Sequence, residues 1–184
     1  MNIATRSLTL EEFLGLPETK PASEFIQGEV IQKLMPQGEH SRLQAKLCEQ
    51  INQVAESQRI ALALPELRCV FGGQAIVPDI AVFRWDRIPR QESGRIANRF
   101  EAQPDWSIEI LSPDQSLTKV LGKLLHCSQH GMELGWLLDA EEESILIVLP
   151  DQRVQLLSGA DQVPVLSGLE LGLTVEQIFN WLTL

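Results

Sequence analysis

Cysteine is scarce and unpatterned in this chain: Cys48, Cys69 and Cys127 are the only three in 184 residues, far apart and in no Cys-x-x-Cys arrangement. An odd, scattered set excludes a disulfide scaffold and predicts three reduced thiols. No apolar run approaches the ~20 residues that a membrane-spanning helix requires. The opening stretch, Met1 to Ser7, lacks the apolar core of a signal peptide. A soluble, cytoplasmic protein is the expectation. Basic residues are in deficit as well, with 15 Lys and Arg against 25 Asp and Glu and a net charge of −10. That balance opposes nonspecific adhesion to nucleic acid or anionic membrane, so any contact with phosphate has to be local. Internal repeats, low-complexity tracts and linkers are absent too. The length suits a single domain, 1–184, able to bury roughly 70% of the surface of its unfolded form.

Against this background two acids stand out, because each interrupts an apolar, β-prone run. Asp79 follows Pro78 inside Ile76 to Phe83, and Glu109 lies inside Trp106-Ser-Ile-Glu-Ile-Leu111. Both runs read as buried strands, and a lone carboxylate in such a strand costs several kcal/mol unless it is paired or metal-bound. Glu109 alternates to the face opposite Ile108 and Ile110, so if that face is covered it needs a partner. Two neighbouring strands that each offer one carboxylate make a site for a divalent cation. Asp79 alone also suits a strand-start acid that makes turn hydrogen bonds.

The remaining pattern supplies a scaffold. Thr9-Leu-Glu-Glu12 has the form of a capping box and predicts a short helix to about Leu16, before Pro17. Glu24 to Leu34 holds two β-prone runs about Gln27-Gly28, which predicts a hairpin. Leu43, Leu47, Ile51 and Val54 recur at helical spacing and predict a long amphipathic helix over 39–58. Strands are expected near Ile60 to Leu64 and Glu66 to Phe71, then a Gly72-Gly73 turn and the strand that carries Asp79. The polar stretch from Arg84 to Pro104 reads as a loop. A second helix is expected from Ser112-Pro113-Asp114 to about His130, with Gly131 as its left-handed stop. Gly135 to Leu138, Ser144 to Leu149 and Arg153 to Leu157 read as strands. Thr174-Val-Glu-Gln177 is a second capping box, opening a terminal helix to Trp181. Together these predict an α/β protein with a mixed central sheet flanked by helices.

Pro78-Asp79, Glu109 and a downstream lysine resemble the PD-(D/E)XK nuclease superfamily. One branch is closer. Glu24-Phe-Ile-Gln-Gly-Glu29, Pro36, His40, Pro78-Asp79, Pro104-Asp105-Trp-Ser-Ile-Glu-Ile-Leu-Ser-Pro113, Lys123, Gly131, Trp136-Leu-Leu-Asp139 and Leu173-Thr-Val-Glu-Gln-Ile-Phe179 together resemble the Uma-type restriction endonuclease family over nearly the whole chain. The resemblance implies a restriction-endonuclease-like fold and a metal-dependent endonuclease that hydrolyses phosphodiester bonds, in DNA before RNA. It implies Mg²⁺ or Mn²⁺, hard cations that take oxygen ligands, held by Asp79, Glu109 and the backbone carbonyl of Ile110. The superfamily's lysine two positions after the acid is replaced here by Leu111; Lys123, on the following helix, takes its role of orienting the attacking water or holding charge on phosphate. Lys119 stands where the family often carries an acid, and Cys127 where it often carries an aromatic. His40 and Glu29 join the candidate catalytic set, with Glu24 behind them.

Each assignment has a plainer counterpart. Lys123 is also a residue type that amphipathic helices carry on their wet face, Glu24 and Glu29 suit surface charge on a hairpin, and His40 suits a solvated helix start. His126 and His130, four apart beside Cys127, have zinc-compatible spacing but no second ligand cluster. Arg84, Arg87, Arg90, Arg95 and Arg99 form the one basic patch of the chain, suited to a solvated loop or to phosphate contacts. No aromatic interleaving suggests base stacking. From other classes, a catalytically silent binding or regulatory module on the same scaffold, and a hydrolase of small phosphate esters, fit the same acids. A homodimer is expected on general grounds.

Overall fold

In the computed structural model the described residues are 8–184; the opening segment inspected for a signal peptide lies outside them. Helix α1 (Leu10–Leu14) is closed at its start by the expected capping box, Thr9 with Glu12, and it ends at Gly15, two residues earlier than Pro17 alone would require. The hairpin is formed by β1 (Ser23–Ile26) and β2 (Glu29–Gln32), paired antiparallel from Ser23 opposite Gln32 to Ile26 opposite Glu29. Its two turn residues, Gln27 and Gly28, both have positive φ, 52° and 85°. That is the backbone of a tight two-residue hairpin turn, and glycine at the second position adopts it without steric cost.

Helix α2 (Gly38–Ala55) buries Leu43, Leu47, Ile51 and Ala55 completely. Val54, expected in this stripe, is only half-buried, because a strict four-residue step carries the stripe to Ala55. Beyond it come β3 (Ala61–Pro65), β4 (Cys69–Phe71), β5 (Gln74–Ile76) and β6 (Ile80–Arg84). β4, expected from Glu66, starts only at Cys69 because Glu66 has φ of 49°, which breaks extended backbone.

The run from Ile76 to Phe83, read from sequence as one strand, is two. β5 belongs to a small sheet ordered β2-β1-β5-β4, while β6 belongs to a six-stranded sheet. Val77, Pro78 and Asp79 form the passage between them, and proline, with no N–H to give to a ladder, suits that passage. Asp79 therefore stands where the two sheets meet.

The large sheet runs β10-β9-β8-β7-β6-β3, with β7 (Trp106–Leu111), β8 (Leu134–Asp139), β9 (Ser144–Val148) and β10 (Val154–Ser158). Only β7 and β8 are parallel among its described pairs. Parallel neighbours need a crossover, supplied by α3 (Leu117–Gln129). This helix starts later than expected, with Ser116 at its cap position, since Pro113 and Asp114 belong to the turn that leaves β7. Helix α4 (Val175–Phe179) opens with the second capping box, Thr174 with Gln177.

Alternation along β7 sorts the core. Trp106, Ile108 and Ile110 face α2, where they join Leu43, Leu47, Trp136 and Ile178. The other face meets α3 through Leu124 and Cys127, packed with Phe83, Phe100 and Leu137. Glu109 points to this second face, and β7 is covered on both sides. The open edge of β3 is closed by Asn52 of α2, whose amide donates to the Ala63 carbonyl at 2.9 Å and accepts from its N–H at 2.8 Å. A side chain here stands in for a missing strand.

Candidate active site

The register of β6 and β7 sets Ile80 opposite Ile108 and Ala81 opposite Ser107. Continued by one residue, it brings Asp79 opposite Glu109. Two acids distant in sequence thus become cross-strand neighbours on one face. Continued by another, it sets Pro78 opposite Ile110. The Ile110 N–H donates instead to Asp79 Oδ2 at 2.7 Å, and proline leaves the Ile110 carbonyl without a ladder donor from that side.

Around the acids stand groups from four other elements. Lys33, directly after β2, places its ammonium 2.6 Å from Asp79 Oδ1 and 2.9 Å from the Val77 carbonyl. His40 in the first turn of α2 holds Nε2 3.1 Å from Asp79 Oδ2. Gln44, one turn on, donates to the Asp79 carbonyl at 2.8 Å. Lys123 of α3 lies 2.8 Å from Glu24 Oε1 and 2.9 Å from Glu109 Oε1, and Glu24 also accepts the Val77 N–H at 2.7 Å. Asp79, Glu109, Glu24 and Lys123 are exposed by only 3%, 3%, 4% and 7%, which rules out the solvated readings of Lys123 and Glu24.

Electrostatics separates the two central acids. Burial alone would raise the Asp79 carboxyl, but the His40 hydrogen bond and the charges of Lys33, His40 and Lys123 outweigh it and hold that carboxyl well below the usual range. Burial pushes the Glu109 carboxyl up to about 7; Lys123 opposes this, while Asp79 and Glu24 reinforce it. Burial also acts against the charged form of Lys123, yet Glu109, Glu24 and Asp79 prevail and raise its ammonium above the ordinary lysine range. Lys123 is therefore a fixed positive charge among carboxylates.

Among the described residues, no group of three or more His, Cys, Asp or Glu side chains is assembled that could by itself hold a metal ion. The oxygen donors are two carboxylates and one backbone carbonyl, a set that suits Mg²⁺, which keeps several waters, better than zinc. Glu109 Oε1 is buried, and the charged group beside it is the Lys123 ammonium at 2.9 Å. A carboxylate at this depth paired with one ammonium keeps further lone pairs that a cation can take, so the residues present fit the group.

The site opens on two clefts. One, of about 700 Å³, lies between the β1–β2 hairpin and α3 and is lined by Glu24, Lys33 and Lys123 among others. The other, of about 620 Å³, lies beyond His40 and Ile110 at the ends of β7 and β8. Glu29 is exposed on β2 and lines the first cleft without touching the central acids. Lys119 is exposed one turn before Lys123 and lines the same cleft. Leu111 lines the second cleft; the charge absent there comes from Lys33 and Lys123. Cys127 is buried in the core beneath α3.

The arginine patch is partly consumed by structure. Arg84 donates to both oxygens of Glu133, at 2.5 and 2.6 Å, and Arg87 pairs with the buried Asp105. Arg90 lies over the Trp85 ring, while Arg95 and Arg99 are exposed. His126 stacks on Phe71, and His130 meets the same ring edge-on.

Lys33 and Gln44 are missing from the sequence expectation. Gln44 had a usable signal, since it lies one helical turn from His40 and shares its face. Lys33 had none, because it meets Asp79 only through the docking of the small sheet.

A mixed sheet whose adjacent strands present two buried acids to a helix-borne lysine defines a restriction-endonuclease-like α/β protein. The chain belongs to the Uma2 family, described as "Putative restriction endonuclease", which it matches over residues 10–178. It is also similar to a crystal structure described as a putative nuclease belonging to DUF820 from Anabaena variabilis ATCC 29413, with a TM-score of 0.93 and 52% identity over 95% of this chain and 99% of that one. No curated protein matches the chain. Among the described residues, no helix is long and apolar enough to cross a membrane.

Proposed function

We propose that this chain is a Mg²⁺- or Mn²⁺-dependent endonuclease that hydrolyses phosphodiester bonds in DNA. The observation that carries this reading is the convergence of buried Asp79 and Glu109 with Lys123 beside an open cleft, in a chain of the family described as "Putative restriction endonuclease". Asp79, Glu109 and the Ile110 carbonyl would hold the cation, which when bound polarises a phosphoryl oxygen and acidifies a water. Lys33, His40 and the Ile110 N–H fix the Asp79 carboxylate in place and keep it ionised. Lys123, pinned between Glu24 and Glu109, presents a preorganised positive charge to the phosphate or to the attacking water. Glu29 and Lys119 line the approach rather than the reacting centre. Cutting both strands of a duplex calls for two such sites, and a two-fold dimer belongs to this reading.

The decisive experiment incubates the purified protein with plasmid DNA and Mg²⁺ or Mn²⁺, beside Asp79→Asn and Glu109→Gln proteins shown to be folded by circular dichroism. Loss of metal-dependent cleavage in both variants is expected. Cleavage at the wild-type rate in both would overturn the assignment. Mn²⁺ binding in calorimetry that ignores the loss of Asp79 would favour the catalytically silent module instead.

A further inference from the structure

The cleft between the hairpin and α3 is lined by six glutamines, Gln27, Gln32, Gln74, Gln115, Gln129 and Gln152. They share it with the site residues Glu24, Lys33 and Lys123. A groove built only to hold the phosphate backbone would favour Lys and Arg; amides, which offer donor and acceptor together, suit base edges.

Two of the lining residues carry buried polar atoms with no partner in the protein, Gln74 Oε1 and His126 Nε2. Their placement is enforced. Gln74 faces Phe71 across the β4–β5 hairpin, Phe71 stacks on His126 at 5.1 Å, and His126 lies 4.3 Å from His130. The hairpin turn fits tightly beneath these rings, since a Cβ on Gly72 would lie 2.3 Å from His130 Nε2 and 2.8 Å from His126 Cε1. Burial and the neighbouring His130 lower the His126 pKa, against a hydrogen bond to the Phe71 backbone that raises it, which favours a neutral ring with one donor and one acceptor nitrogen. Size limits the ligand. At about 700 Å³ the cleft falls within the ~300–1,000 Å³ of small-ligand sites, and a base can present its edge inside such a cleft only once it has left the stack.

We infer that this cleft takes unpaired nucleotides of the DNA strand, and that Gln74 and His126 form a subsite that hydrogen-bonds the edge of one unstacked base next to the scissile phosphate. The inference rests on the nuclease reading of the adjoining acids, and it gives that site a base preference and a demand for locally single-stranded DNA. Neither residue belongs to the metal-holding set.

Fluorescence anisotropy in EDTA, with labelled 12-nucleotide oligo(dA), oligo(dC) and oligo(dT) and a blunt duplex of the same length, tests binding apart from chemistry. Single strands are expected to bind at least about tenfold more tightly than the duplex, with one homopolymer preferred. Gln74→Ala and His126→Ala, each with a thermal melt to confirm folding, should level the three homopolymers to within about twofold. A duplex bound as tightly as single strands, equal binding of all homopolymers to the wild type, or a preference unchanged in both folded variants would each overturn the subsite. The two readings fail separately. Asp79-dependent cleavage without base preference removes the subsite alone, whereas base-selective binding that Gln74→Ala abolishes, in a protein that cuts no DNA, removes the nuclease reading and leaves the subsite standing.

Discussion

Lys123 is the residue on which the balance of the site turns. Its ammonium is buried between Glu24 and Glu109, with the Asp79 charge acting on it as well. Removal of one partner from a buried ion pair leaves an uncompensated charge, at a cost of roughly 3–5 kcal/mol. Lys123→Met should therefore lower stability in urea at neutral pH by about that amount, and addition of Glu109→Gln should restore part of the loss. Strict additivity in this double-mutant cycle would show that the two groups do not interact. The plainer alternative held before the structure, a solvated helix lysine, predicts almost no effect. Sequence spacing placed Lys123 on the correct helix; what it lacked was the covering hairpin, because Glu24 comes from a strand about a hundred positions away and its burial depends on the docking of a separate sheet.

Elements differ in how far their own sequence determines them. Both capping boxes and the stripe of α2 through Leu43, Leu47 and Ile51, though not its last member Ala55, were legible because the signals are local: a side chain that returns to its own backbone, or a period set by one helix. The passage at Val77-Pro78-Asp79 was not. Its flanks are uniformly apolar, and the split into β5 and β6 follows from which sheet each half joins, a long-range choice that Pro78 permits but does not dictate. The late start of α3 has a similar origin, since Ser112 is buried at the end of β7 and its N–H is taken by Gln115. The β4–β5 turn offers a direct measure of tertiary constraint at this scale. Gly72 combines φ of 55° with a close approach to His130 and His126, so alanine there meets both backbone strain and a clash. Gly72→Ala should cost more than the ~1 kcal/mol typical of backbone substitutions alone, read as a lower thermal midpoint. Gly73→Ala, where φ is 75° but no atom lies within 4 Å of the new Cβ, should cost the backbone share only. Equal losses in the two variants would show that the histidines yield freely.

At the scale of the molecule, net charge −10 means that the few cations are spent where they are needed, and Arg84 illustrates how. From the end of β6 it clasps Glu133, just before β8, and reaches the Ser167 carbonyl and hydroxyl at 3.3 and 2.9 Å, so that one guanidinium ties the central sheet to the C-terminal segment. That use removes it from any nucleic-acid surface, which is why the basic stretch of the sequence overstates the positive surface of the fold. The clasp also has a definite pH signature. The Arg84 hydrogen bond lowers the Glu133 carboxyl, against a smaller opposing effect of burial. A carboxyl whose folded value lies below its unfolded value of ~4.3 contributes stability that is present above that unfolded value and disappears as the pH falls through the folded one. Glu133→Gln should therefore lower the urea midpoint at pH 7, and the gap between variant and wild type should close as the pH falls below the ordinary glutamate range. The Glu133 side chain is 41% exposed, so salt should narrow the gap at pH 7 as well. A difference that persists unchanged in acid would place the role of Glu133 in its shape and hydrogen bonds, with its charge irrelevant to the clasp.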